Sequence, residues 1–244
     1  MARTSLKTGG INALGRRFLE RARATSDYQR WIGAYDTLSD TDRAAIRRHI
    51  DRLAYKPLIS VVLPTYNTPE KWLRLALESV RMQLYPHWEL CIADDASSQP
   101  HVRRVLEEYR ALDSRITLVL REHNGHISAA SNSALAMARG EFVALLDHDD
   151  ELPEHALYMI AVELNAYPEA DIIYSDEDKI GEGRQRYDPY CKPDWNPDLF
   201  TGQNFVSHLG VYRTCRVRAV EGFRVGYEGS QDWDLAMRII EQIP

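Results

Sequence analysis

Phe142-Val143-Ala144-Leu145-Leu146-Asp147-His148-Asp149-Asp150 joins an unbroken apolar run to an acidic tail. An apolar run without alternation, and too short for a helix, is buried on both faces, as a parallel strand is when helices cover its sheet. Ile59-Ser60-Val61-Val62-Leu63 has the same character and is closed by Pro64-Thr65-Tyr66-Asn67. Further strand candidates fall at 89–93, 116–120, 171–174 and 209–212. Helical spacing occupies 70–84, 102–112, 128–138 and 154–166 between them. This alternation predicts an α/β fold with a doubly wound, mostly parallel sheet. In such sheets ligands bind beyond the carboxyl ends of the strands.

Those ends are polar. In an extended strand end, residues two apart point to one side, so Asp147 and Asp149 are expected to converge. Paired carboxylates repel, and a hard cation such as Mg²⁺ or Mn²⁺ resolves the conflict while keeping sites for phosphate oxygens. The competing reading is a turn in which Asp150 or Glu151 caps the helix entered at Pro153. Asp94-Asp95-Ala96-Ser97 closes the second strand, either as an Asx-type turn or as a carboxylate facing a nucleobase stacked on Tyr66. Gln231-Asp232-Trp233-Asp234 opens a helical pattern running to Ile240. Its acids either favour the helix N-terminus or provide a general base beside a Trp able to stack on a sugar.

Composition narrows the class. With 244 residues, a net charge of −6 and 27% charged residues, the chain is an ordinary globular protein and a poor candidate for nucleic-acid binding. Cys91, Cys191 and Cys215 form no paired motif and demand no oxidising compartment. No segment approaches ~20 apolar residues, so a cytoplasmic protein is expected. The charge is uneven, since Arg3, Lys7, Arg16, Arg17, Arg21, Arg23 and Arg30 dominate residues 1–30. Ile11, Leu14, Phe18 and Ala22 repeat there at helical spacing. That helix either lies peripherally on the anionic inner face of a membrane or packs on the main domain. A second helical pattern covers 41–53, giving an N-terminal helical extension at 1–55 and a main domain at 56–244.

Taken together, the motifs resemble family 2 glycosyltransferases over about residues 57–244. Ile59 to Asn67 is similar to the family's first strand and nucleotide loop. Cys91-Ile92-Ala93-Asp94-Asp95-Ala96-Ser97 resembles its VDDGS element, with Ala96 where glycine is commoner. Asn124-Gly125-His126 with Ala129, Ala130 and Asn132 resembles the helix bordering the nucleotide. Leu146 to Asp150 resembles the DXD segment. Ser230-Gln231-Asp232-Trp233-Asp234-Leu235 resembles EDxxL, with Gln231 replacing the usual acid. Ile172 to Lys179 and Lys192 to Asp198 are similar to a bacterial subgroup that builds O-antigen and capsule polysaccharides, often as modules of larger enzymes.

The resemblance implies a GT-A fold preceded by a short helical region, and an inverting, metal-dependent transfer from a UDP- or dTDP-sugar to a saccharide or lipid-linked saccharide. It implies nucleotide contacts from Pro64, Thr65, Tyr66, Asp94, Asp95, His126 and Asp147. Asp149 with Asp147 would hold Mn²⁺ or Mg²⁺, Asp232 would be the base, and Trp233 and Trp195 would line the acceptor. The subgroup continues to a strand whose histidine helps hold the metal. This chain stops at Pro244, so that segment is expected to be missing, with His148 and His208 as partial substitutes. The alternative is a non-catalytic nucleotide- or sugar-binding module of a larger enzyme. A nucleotidylyltransferase would need a glycine-rich loop after the first strand, and neither GxGxxG nor a P-loop occurs.

Overall fold

The computed structural model describes residues 26–243. The repeat at 11–22 and most of the basic segment 1–30 lie outside the described residues. In chain order the elements are α1 (26–35), α2 (Asp40–Arg52), β1 (Ile59–Thr65), α3 (Glu70–Arg81), β2 (Trp88–Asp94), α4 (Pro100–Leu112), β3 (Ile116–Leu120), α5 (His126–Leu135), β4 (Phe142–Leu145), α6 (Ala156–Ala166), β5 (Ile172–Tyr174), β6 (Glu177–Ile180), β7 (Arg186–Tyr190), α7 (Pro197–Phe200), β8 (Gly210–Arg213), α8 (Thr214–Ala219) and α9 (Gln231–Ile240). Their contacts divide the chain into two units.

The larger unit, Asp40–Asp176 with Lys192–Pro244, holds a six-stranded sheet in the order β3-β2-β1-β4-β8-β5. β3, β2, β1 and β4 run parallel, and β8 runs antiparallel to both neighbours. Every residue of β1 and β2 is buried, including the polar Ser60 and Thr65 of β1 and Glu89 and Asp94 of β2. Leu63, Leu77, Leu90, Ile92, Phe142 and Val211 share one core, each fully buried side chain contributing ~1.5–3 kcal/mol. Pro100 at the first turn of α4 supplies a fixed φ where no amide partner is needed. α2 belongs to this unit: Ile50 enters the core, Arg43 pairs with Glu154 at 2.7 Å, and His49 Nδ1 meets the Tyr158 hydroxyl at 2.8 Å.

Two features of the sheet prepare a site. The chain leaves β1 toward β2 and β3, then returns to the other side as β4, so β1 and β4 flank a topological switch point. β4 is also the shorter of the pair. Its register with β1 ends at Val62 opposite Leu145, after a last bond from Leu146 N to Val62 O, whereas β1 continues beside β2 to Thr65. The two chains part there and open a crevice.

The smaller unit joins residues 26–39 to Glu177–Cys191. Arg186 organises it, pairing with Asp36 and Asp178 at 2.6 Å each, and Tyr28 also bonds to Asp178. The β6–β7 hairpin is absent from the strands read in the sequence. Its residues are polar and partly exposed, so no hydrophobic pattern announces it.

Candidate active site

A groove of about 490 Å³ occupies the crevice. Val62 and Pro64 of β1 form one wall, and Leu145, Leu146 and Asp147 at the end of β4 form another. Because β8 is antiparallel, its amino end lies at the carboxyl end of β4. The preceding loop therefore brings Asn204, Ser207 and His208 to the same rim. The start of α9 supplies Asp232. No Lys or Arg is among the described lining residues.

Past Leu145 the backbone is no longer extended. It turns at 148–149, with Asp150 N bonding to Asp147 O at 3.2 Å. Side chains three apart, rather than two, then face each other. Asp147 and Asp150 flank His208, whose Nε2 lies 3.7 Å from Asp147 Oδ2 and whose Nδ1 lies 3.7 Å from Asp150 Oδ2. One ligand atom from each of the three lies within 4.8 Å of the others. Asp149, expected beside Asp147 from strand alternation, is not part of this three-residue cluster, yet its charge adds to the rise of the Asp147 carboxyl. Asp149 instead accepts a bond from His148 Nδ1 at 3.1 Å, which holds its carboxyl below the usual range.

Asp147 is the electrostatically stressed member. Part of its side chain remains accessible, yet desolvation by the surrounding protein pushes its carboxyl up. His208 and His148 pull it down, while Asp149 and Asp232 add to the rise. The influence of Asp232 marks the two carboxylates as electrostatic neighbours. Asp232 itself accepts from Asn204 Nδ2 at 2.7 Å. Asp234, two positions along the helix, is fully committed: it pairs with Arg224 and, at 2.8 Å, with Arg238. Burial works to raise its carboxyl, and the two guanidinium groups overcome this and leave it lowered.

The nucleotide candidates divide. Pro64 lines the groove, and Tyr66 stands 47% exposed just past β1. Thr65 is buried, with a hydroxyl that has no hydrogen-bond partner. Asp94 forms the Asx-type turn, accepting from the Ser97 backbone at 3.2 Å and from its hydroxyl. Asp95 is buried, bonded to Arg121 and to Gly125 N at 3.0 Å. A Cβ at Gly125 would stand 2.8 Å from Arg121 Nη2, so a larger residue there would displace the Arg121 guanidinium. His126 begins α5 at φ 63° and is exposed.

Neither tryptophan lines the groove. Trp233 donates from Nε1 to Phe200 O at 3.0 Å, and Trp195 packs on Phe200 and Phe205 with ring centroids 5.2 and 5.7 Å away. Trp195 keeps 45% of its surface exposed. Asn204 and Ser207 escape notice in the sequence, and Asp150 is read there only as a helix cap, because each acquires its place through a turn or an antiparallel neighbour.

Among the described residues no helix is long and apolar enough to cross a membrane. The chain is 53% identical over 194 residues to the protein y4gI of Sinorhizobium fredii, covering 80% of this chain and 21% of that one. It is 38% identical over 216 residues to the O-antigen biosynthesis protein RfbC of Myxococcus xanthus, covering 88% and 17%. It thus spans about a fifth of the length of these curated relatives. Among solved structures it resembles S. aureus TarS 1–349 in complex with UDP-GlcNAc, at a TM-score of 0.62 and 25% identity, covering 74% of this chain and 52% of that one. It also resembles the mannosyltransferase PcManGT of Pyrobaculum calidifontis, solved with GDP-Man and Mn²⁺, at 0.59 and 19%, covering 81% and 59%. The fold is GT-A. The family's sequence model, described as glycosyl transferase family 2, matches residues 60–220, and this chain belongs to that family.

Proposed function

We propose that this chain is an inverting glycosyltransferase that moves a hexosyl or deoxyhexosyl group from a UDP- or dTDP-sugar to a hydroxyl of a saccharide or lipid-linked saccharide, in the assembly of a bacterial surface polysaccharide. One observation carries the reading: Asp147, His208 and Asp232 line one groove at the sheet's switch point, Asp150 clusters with the first two, and no Lys or Arg is among the described lining residues. A cation held by these carboxylates would give an anionic diphosphate the positive charge that the described lining residues do not supply through Lys or Arg. Two carboxylates and an imidazole are suitable donors for Mn²⁺ and acceptable ones for Mg²⁺. Asp147 is the ligand common to the sequence pattern and the three-residue cluster; Asp149 from the former, and Asp150 with His208 from the latter, compete to complete the set. The bound cation would supply positive charge against the departing nucleoside diphosphate.

The chain's own residues do the rest. The half-exposed ring of Tyr66 offers a stacking face to the base, the unpartnered Thr65 hydroxyl a polar contact, and Asp94, Asp95 and His126 flank the same rim. Asp232 takes the proton from the acceptor hydroxyl as its oxygen bonds to the anomeric carbon. The bond from that carbon to the diphosphate oxygen breaks, and the leaving group keeps the electron pair. Attack from the face opposite the leaving group inverts the anomeric configuration. Trp195 and Trp233, gathered around Phe200, are the candidates for an acceptor wall outside the groove lining.

The UDP-GlcNAc complex of TarS and the O-antigen role named for RfbC support a nucleotide-sugar donor and a polysaccharide product. The test is a screen of UDP-, dTDP- and GDP-sugars for release of the nucleoside diphosphate, with Asp232→Asn alongside. Turnover that Asp232→Asn abolishes, with UDP affinity retained in Mn²⁺, is the expected result. Equal loss of turnover and affinity would remove Asp232 from the role of base.

A further inference from the structure

Asn204 is held at both ends. Its Nδ2 donates to Asp232 Oδ2 at 2.7 Å, and its Oδ1 accepts from Ser207 N at 3.3 Å. Turning the amide over would set an oxygen against the carboxylate and an N–H₂ against a backbone donor, so this network permits one orientation. The loop beneath it is fixed as well. Phe205 and Val206 are fully buried, and Lys192 Nζ donates to Val206 O at 2.9 Å and to His208 O at 2.5 Å. Asp232, by contrast, sits in the first turn of α9, whose N-cap Ser230 makes no side-chain cap bond. A short acidic side chain at a helix start has several rotamers available, and an anchored amide at 2.7 Å selects among them.

We infer that Asn204 is the positioning residue for Asp232: it occupies Oδ2, leaves Oδ1 for the acceptor's proton, and holds the carboxylate facing the groove. The inference rests on the reading of Asp232 as base. An amide suits the task because toward the carboxylate it is a neutral donor with no proton to lose.

Asn204→Asp and Asn204→Ala together separate positioning from mere loop support. The former keeps the size of the side chain and the oxygen that accepts from Ser207 N, and replaces the donor to Asp232 with a carboxylate that repels it. A purely structural role predicts that the uncharged Asn204→Ala lowers stability while the folded protein keeps near-wild-type kcat. A positioning role predicts that both lower kcat, by ~100-fold or more given what a positioned base contributes. Donor KM and calorimetric UDP affinity in Mn²⁺ should stay within about threefold, a smaller change than the loss of a metal contact gives. Either variant keeping near-wild-type kcat, or losing kcat and UDP affinity in proportion, overturns the inference. If Asp232→Asn abolishes transfer while both Asn204 variants remain active, the base assignment stands and this inference alone falls. An active Asp232→Asn removes both. A readout independent of turnover is the ¹⁵N spectrum of the full chain. The side-chain amide pair that Asn204→Asp deletes should shift in Asp232→Asn, and an unmoved pair overturns the inference.

Discussion

Asp147, Asp149 and Asp150 look alike in the sequence, and only the turn they stand in tells them apart. Strand alternation selects Asp147 with Asp149, whereas the i to i+3 turn faces Asp147 toward Asp150 across His208. Ion binding ranks them. Asp147→Asn should abolish the Mn²⁺ dependence of UDP affinity, and Asp150→Asn should weaken that affinity by ~10-fold or more if the groove geometry governs. Calorimetry on Asp149→Asn and Asp150→Asn decides the point: a larger loss in Asp149→Asn means that metal binding rearranges the turn. Asp232 is readable from its motif, and Asp234 is its open rival until the structure commits the latter to Arg224 and Arg238. Asn204 and His208 carry no such mark. Their roles depend on a fold-back from a distant strand, which local sequence does not encode.

Strands and helices are legible where burial is two-sided, as in β1, β2 and β4, because an unbroken apolar run of that length is stable in few settings besides a covered sheet. The antiparallel direction of β8 is not legible, since a four-residue strand, three of its residues buried, reads the same in either direction. Glu89 shows what the apolar pattern conceals. It is a buried acid inside β2, accepting from Ser60 Oγ at 2.7 Å, Arg139 Nε at 2.9 Å and Gly140 N at 3.2 Å, and thereby tying β1 and β2 to the turn before β4. Burial works to raise its carboxyl, and the Ser60 and Arg139 bonds overcome this and leave it lowered. A carboxyl lowered in the folded state contributes stability above its unfolded pKa, ~4.3, and loses that contribution as pH falls from there through the folded value. Urea unfolding of wild type and Glu89→Gln should therefore show a gap at neutral pH, ~1–3 kcal/mol for buried donors that lose a charged acceptor. That gap should shrink on acidification below ~4.3. A pH-independent gap would assign the effect to packing.

At the scale of the molecule, the divergence of β4 from β1 and the amino-end approach of β8 concentrate acids where the sheet reverses its order. A groove with that charge gains stability when a cation and an anionic nucleotide fill it together. UDP with Mn²⁺ at about a hundred times Kd should add ~2.7 kcal/mol, raising Tm by ~5–10 °C for a chain of this size, with the rise absent under chelator. A rise given by UDP alone would mean that protein groups outside the groove neutralise the diphosphate. The most direct test is calorimetric titration of UDP into the full chain with Mn²⁺, with chelator, and into Asp147→Asn with Mn²⁺. The account predicts heat of binding in the first titration and its loss in the other two. Equal UDP affinity in all three, or none in any, would contradict it.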